Sequence, residues 1–138
     1  MAMRLVGKIV ATIALLLTTT IYAWAEKPDD GLYGVMAENE VAEVMVEFGD
    51  VKYSNTVSRT ITLKNNTDAP IALLDYEATC RCVWLDLPNR AIAPGEEGTI
   101  TITYDSRGEW GSIGNYLSIE TSNKRVKIAI WMSAEIVR

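Results

Sequence analysis

Histidine is absent from this sequence, and cysteine occurs only twice. Without histidine, the chain alone cannot form a Ser-His-Asp or Cys-His nucleophile system, and histidine-based metal sites are excluded as well. Two cysteines are also too few for a four-thiolate zinc site. We therefore predict that the protein is not an enzyme and has no cofactor, and we assign no set of metal ligands.

Basic residues are in the minority. The chain has 13 Lys and Arg compared with 18 Asp and Glu, which gives a formal net charge of −5 at pH 7. Binding to nucleic acid requires a basic face that neutralises phosphate groups. Nucleic acid is therefore not an expected partner of this chain.

The N-terminus has the features of a secretory signal peptide. A basic start precedes the apolar run Ile9–Leu17, and small residues occupy positions 23 and 25. This order is typical of a signal peptide, so we predict one over residues 1–25 with cleavage before Glu26. The alternative is an uncleaved anchor, because the apolar segment approaches the roughly 20 residues that span a bilayer.

Cleavage after residue 25 predicts an exported protein that is periplasmic or extracellular. Its contact with the membrane would be transient, through the signal peptide alone. Residues 26–40 contain two glycines and a proline without periodicity, and we predict that they form a flexible leader. Residues 41–138 have the length of one domain.

The domain shows alternation of apolar and polar residues with a period of two. In the clearest stretch, Ile100, Ile102 and Tyr104 alternate with threonines. Such stretches are separated by turn signals, and no helical period interrupts them. We predict an immunoglobulin-like antiparallel β-sandwich of about seven strands. The side chains expected to form its core are those of Ile61, Leu63, Ile100, Ile102, Leu117, Ile119, Ile128 and Ile130.

The two cysteines lie one residue apart, in Cys80-Arg81-Cys82, shortly before Trp84. In an extended strand their Cα atoms would be roughly 6.6 Å apart, at the upper limit for a disulfide, so a bond requires a local bend. Three interpretations stay open. The pair is structural, half-buried or joined in a minor disulfide under Trp84; it is a labile pair that exchanges with other thiols; or its thiolates bind Cu(I).

A second candidate site is the loop that follows Tyr104. Arg107, Glu109, Trp110 and Tyr116 combine aromatic rings with charges, and they could form a contact surface for a sugar or a peptide at one end of the sandwich. The alternative interpretation is that Trp110 covers the end of the core.

Several motifs carry a family resemblance. In chain order they are Phe48-Gly49-x-Val51, Arg59-x-Ile61-x-Leu63-x-Asn65 with Ala69-Pro70-Ile71, Thr79-Cys80-x-Cys82, Ile92-Ala93-Pro94-Gly95-Glu96-x-Gly98, and Tyr104-Asp105-Ser106-x-Gly108. Together they resemble the exported bacterial domain-of-unknown-function family fifteen seventy-three, which is similar to Hydin-type and PapD-like immunoglobulin folds. The resemblance implies the fold and export, and it supplies no catalytic residue.

These observations predict a non-catalytic, exported binding or assembly module of the bacterial cell envelope. Its expected partner is an envelope protein or peptide, because the edge strands and end loops of this fold accept an added strand or a loop contact. The alternative is a thiol-dependent redox or Cu(I)-handling protein that uses Cys80 and Cys82.

Overall fold

The computed structural model describes residues 31–138. The predicted signal peptide and residues 26–30 lie outside the described residues. Among residues 31–138, no helix is long and apolar enough to cross a membrane.

Eight strands make up the described part of the chain. They are β1 (Leu32–Met36), β2 (Glu40–Lys52), β3 (Thr56–Asn65), β4 (Leu73–Ala78), β5 (Val83–Asp86), β6 (Glu97–Asp105), β7 (Gly111–Thr121) and β8 (Val126–Val137). They form two four-stranded sheets, with the strand orders β1-β3-β6-β5 and β2-β8-β7-β4. One apolar core lies between the two sheets. The predicted all-β sandwich is therefore confirmed.

Two of the strand pairs are parallel. Strand β1 pairs with β3, and β2 pairs with β8, whereas all other pairs of named strands in residues 31–138 are antiparallel. The chain passes from the first sheet to the second at Asn39, which has a left-handed φ of 64°. Asparagine tolerates this conformation better than most residues. Side chains alternate with a period of two in parallel and in antiparallel strands alike. The alternation in the sequence therefore could not identify these two parallel pairs.

The structure corrects part of the predicted leader. Leu32–Met36 form β1, so ordered structure begins before residue 41. Met36 is fully buried, and a Cβ placed on Gly34 would lie 3.0 Å from the side chains of Leu63 and Val44. Gly34 is therefore a close-packing position inside a strand, and its interpretation as a loop signal was wrong.

The predicted core is confirmed. None of its eight side chains is more than 4% exposed. One of the alternating threonines, Thr103, is nevertheless also buried, on the outer side of the sheet. It lies between Ser58, with which it shares a hydroxyl hydrogen bond of 3.0 Å, and Trp84 of β5.

Candidate functional site

The cysteine turn lies where the chain crosses from one sheet to the other. Cys80 and Cys82 are joined by a disulfide between the end of β4 and the start of β5, with their Cα atoms 5.2 Å apart. This is shorter than in an extended segment because the chain turns at residues 81–82. The φ of Arg81 is not positive, so the turn accepts a residue with a side chain.

Hydrogen bonds fix both ends of this turn. On the β4 side, Thr79 donates its backbone N–H to the carbonyl of Tyr116 at 3.0 Å, and its hydroxyl donates to the Asn115 amide oxygen at 3.1 Å. On the β5 side, the carbonyl of Cys82 accepts the N–H of Asp105 at 2.8 Å. The turn is therefore attached to β7 and to the end of β6, which belong to different sheets.

Glu109 and Asn115 are the polar neighbours of the disulfide. Cys82 Sγ lies 3.6 Å from Glu109 Oε1 and 3.7 Å from Asn115 Nδ2. Both cysteines and Glu109 are half-buried, and their sulfur and carboxylate atoms lie within 4.8 Å of one another. The sequence prediction of this site missed Glu109 and Asn115, which are 27 and 33 residues from Cys82.

The oxidised pair is not a metal centre, because a disulfide has no thiolate to offer a metal ion. Of the three methionines in residues 31–138, two lie elsewhere in the fold. Met36 is fully buried in the core, and Met45 is 64% exposed on the outer side of the second sheet. Met132 accepts a contact from the Asn115 amide at 3.5 Å, but it is a buried core residue.

The predicted loop surface is divided between two places. Trp110 stacks on Tyr53 at a ring distance of 5.3 Å, with the guanidinium of Arg138 4.1 Å from the centre of the Trp110 ring. At 56% exposure, Trp110 does not cover the core. Arg107 forms an ion pair with Asp105 at 3.7 Å. Tyr116 instead packs on the ring of Trp131 at 4.5 Å.

Tyr116 belongs to an apolar row on the outside of the second sheet. In register, Met45 of β2 lies beside Trp131 of β8, which lies beside Tyr116 of β7. Met45 is 64% exposed and Trp131 is 46% exposed. A groove of about 760 Å³ continues along this sheet from Tyr116. The exposed apolar side chains that line it include those of Val41 and Leu74. We call the row and the groove together the outer face.

A family model described as protein of unknown function (DUF1573) matches residues 39–136. The chain belongs to the DUF1573 family. This confirms the resemblance seen in the sequence motifs. A search of curated proteins finds no match.

Solved structures share the fold of this DUF1573 protein. A protein of unknown function from Porphyromonas gingivalis W83 superposes with a TM-score of 0.57 at 18% identity, over 82% of this chain and 51% of that one. The chain thus spans about half the length of the Porphyromonas protein. The ASH/PapD-like domain 7 of human CEP192 superposes with a TM-score of 0.53 at 8% identity, over 86% of this chain and 93% of that domain. The predicted immunoglobulin-like, PapD-like fold is confirmed.

Some of the DUF1573 motif residues hold loops in place. Ser106 is fully buried, where its hydroxyl donates to the carbonyl of Lys52 at 2.6 Å and accepts the N–H of Asn55 at 2.9 Å. Gly95 has a φ of 78°, which the turn at residues 93–96 requires. These two positions are explained by the fold alone.

Tyr104 is a fully buried residue whose pKa differs from that of an ordinary tyrosine. Its hydroxyl has no hydrogen-bond partner among the described residues. Burial raises the pKa of Tyr104 to about 12, and the Glu109 and Asp105 carboxylates add to this rise. The folded protein therefore keeps this phenol neutral.

Replacing Tyr104 with phenylalanine is expected to change the dependence of stability on pH. Between pH 10 and about pH 12 the unfolded tyrosine loses its proton while the folded one keeps it, so stability falls as pH rises. This loss amounts to about 2–3 kcal/mol, and Tyr104→Phe removes it. At neutral pH the variant should gain about 1 kcal/mol, because an unpaired buried hydroxyl is removed.

Urea unfolding at a series of pH values measures both effects. The exposed Tyr53 gives a matched control, since Tyr53→Phe removes a hydroxyl that is not buried and should leave the alkaline loss unchanged. If wild type and Tyr104→Phe lose the same amount of stability at alkaline pH, the Tyr104 phenol is not the group that causes the loss.

Proposed function

We propose that this DUF1573 protein is a non-catalytic binding or assembly module of the bacterial cell envelope. In this proposal it is exported to the periplasm or the cell exterior and binds a protein or peptide through the outer face. The observation that carries the proposal is the exposed row of Met45, Trp131 and Tyr116. Contiguous apolar patches on soluble domains mark interaction sites, and aromatic residues and methionine are enriched there.

The charges around the outer face favour a basic partner. Acidic residues lie on the strands of the outer face, whereas the basic residues are Lys124 and Lys127 in the lining of the groove and Lys52 at the end of β2. The acidic residues include Glu43, Glu47, Asp75, Glu77, Glu120 and Glu135. Opposite charges at the rim of an interface accelerate association and select the partner. We therefore expect a partner segment that combines apolar side chains with Lys or Arg.

Truncating Trp131 is expected to abolish capture of this partner. Central aromatic residues contribute most of the binding energy in many interfaces, so Trp131→Ala should weaken binding by about tenfold or more. Trp84 provides a matched control, because it is a tryptophan of similar exposure, 37%, on the other sheet. The measurement is a quantitative pull-down from envelope extracts of the source bacterium, with wild type, Trp131→Ala and Trp84→Ala compared.

The expected result is a protein retained by wild type and Trp84→Ala and lost from Trp131→Ala. Equal retention by all three would place the binding site elsewhere. Addition of salt should also reduce retention, because contacts between exposed charges are screened.

A further inference from the structure

The two sulfurs of the disulfide have different electrostatic surroundings. Cys80 Sγ accepts the backbone N–H of Cys82 at 3.0 Å. Cys82 Sγ has the Glu109 carboxylate at 3.6 Å and the Asn115 amide at 3.7 Å. Once the bond is reduced, the N–H donor stabilises a thiolate on Cys80. The carboxylate also lies within 4.8 Å of Cys80 Sγ, but it opposes a thiolate on Cys82 more strongly, since at 3.6 Å its full charge outweighs the dipole of the neutral amide.

We propose that Cys80 and Cys82 form a thiol–disulfide exchange site, in which Cys80 bonds to the external sulfur and Cys82 closes the internal disulfide. Glu109 determines this order, because it keeps Cys82 protonated while Cys80 is the thiolate. The thiolate is the attacking species in such exchange. The inference is independent of the outer face and of any partner bound there.

The exchange proceeds in two displacements. The Cys80 thiolate attacks one sulfur of an external protein disulfide, so that a mixed disulfide forms and the other external sulfur leaves as a thiolate. The Cys82 sulfur then attacks Cys80 Sγ and loses its proton. The internal disulfide forms, and the second external sulfur leaves and takes up that proton through solvent. The external disulfide is reduced, the cysteine pair is oxidised, and a dithiol donor returns the pair to its reduced state.

The position of the pair suits exchange better than stabilisation. Only Arg81 separates the two cysteines, so the closed loop removes little entropy from the unfolded chain. Both cysteines are half-buried at the rim of the core, so neither residue is fully shielded from solvent. The Asn115 side chain beside Cys82 is held in position, because the Asn115 amide oxygen accepts a hydrogen bond from the Thr79 hydroxyl. The other charged groups of the neighbourhood are Arg81, which is exposed, and Asp105 at the end of β6.

Single-cysteine variants test the assigned order. Cys82→Ser leaves the Cys80 thiol, and Cys80→Ser leaves the Cys82 thiol. At neutral pH, the Cys80 thiol should react with iodoacetamide about tenfold faster than the Cys82 thiol, because a larger fraction of Cys80 is thiolate. With glutathione disulfide as the probe, Cys82→Ser should accumulate a mixed disulfide about tenfold faster than Cys80→Ser.

Removal of the Glu109 charge tests the cause of this asymmetry. In the Cys80→Ser background, Glu109→Gln should accelerate alkylation of Cys82 about tenfold. In the Cys82→Ser background it should accelerate alkylation of Cys80 by a smaller factor, because Cys80 Sγ is the more distant of the two sulfurs yet still within 4.8 Å of the carboxylate. Glu96→Gln, at an exposed acid in another turn, is the matched control and should change neither rate. A purely structural role for Glu109 would change both rates equally or change neither.

Wild-type protein provides a measurement that needs no cysteine substitution. After reduction with a dithiol, removal of the dithiol and a brief exposure to glutathione disulfide that is stopped with acid before the second displacement, mass spectrometry should locate the first glutathione adduct on Cys80. An adduct on Cys82, or equal rates for the two thiols, would overturn the assigned order. Reaction of both thiols at the rate of an ordinary free cysteine would overturn the exchange site itself.

Discussion

Replacing Ile102 with alanine is expected to lower the free energy of unfolding by about 2–5 kcal/mol. Ile102 is 0% exposed and lies on β6, an interior strand of its sheet, with β3 on one side and β5 on the other. The substitution removes buried methyl and methylene groups and leaves a cavity that the surrounding strands cannot fill completely. Chemical denaturation with urea measures the loss.

The adjacent Thr101 is the matched control. It is half-buried on the same strand and points away from the core, so Thr101→Ala should cost less than about 1 kcal/mol. The comparison tests the register of β6, because a shift by one residue would exchange the two faces. Equal costs for Ile102→Ala and Thr101→Ala would contradict the register.

The faces of the strands could be predicted from the sequence because successive side chains of a strand point to opposite sides. Strand β8 illustrates this well, since its alternate apolar residues from Val126 to Ile136 are all buried. The same pattern carries no information about which strands are neighbours. The parallel pairs β1–β3 and β2–β8 therefore could not be derived from the sequence, because both kinds of pairing share the same period.

The local geometry of the cysteine turn could also be anticipated, but its surroundings could not. A bend was required for any bond between Cys80 and Cys82, and the structure has one, with a Cα separation of 5.2 Å. Glu109 reaches Cys82 because the connection between β6 and β7 folds back over the turn. Such contacts depend on the packing of loops that are distant in sequence, for which the sequence has no periodic signal.

The division of the predicted loop surface has a simple geometric cause. Trp110 immediately precedes β7, whereas Tyr116 lies within that strand. A strand advances about 3.3 Å per residue, so two residues that are close in sequence can lie roughly 20 Å apart along a sheet. Trp110 therefore contacts Tyr53 and Arg138 near the end of the sandwich, and Tyr116 contacts Trp131 on the outer face.

Asn65 is a buried polar residue that connects two turns. Its amide nitrogen donates to the carbonyls of Ala69 and Ile92, both at 2.8 Å, and its amide oxygen accepts the N–H and the hydroxyl of Thr67 at 2.9 and 2.7 Å. Asn65 has no positive φ, so it holds the turns together through its side chain and not through a left-handed backbone.

Replacing Asn65 with alanine is expected to lower the free energy of unfolding by about 2–4 kcal/mol. The bond to the Ile92 carbonyl is buried, so its loss leaves an acceptor that water does not reach easily. The Ala69 carbonyl is more exposed and can be hydrated, which limits the total cost. Unfolding in urea, followed by tryptophan fluorescence, measures the change.

Two further variants separate the side-chain bonds of Asn65 from a general effect on the turn. Asn66 is an exposed neighbour, and its backbone N–H donates to the Met36 carbonyl at 2.9 Å. Asn66→Ala keeps this backbone hydrogen bond, so the substitution should lower the free energy of unfolding by less than about 1 kcal/mol. Asn65→Asp keeps the size of the side chain and its acceptor, but it places a carboxylate against the Ala69 and Ile92 carbonyls. It should therefore be at least as destabilising as Asn65→Ala at neutral pH, and a stable Asn65→Asp protein would show that the two donated bonds do not hold these turns together.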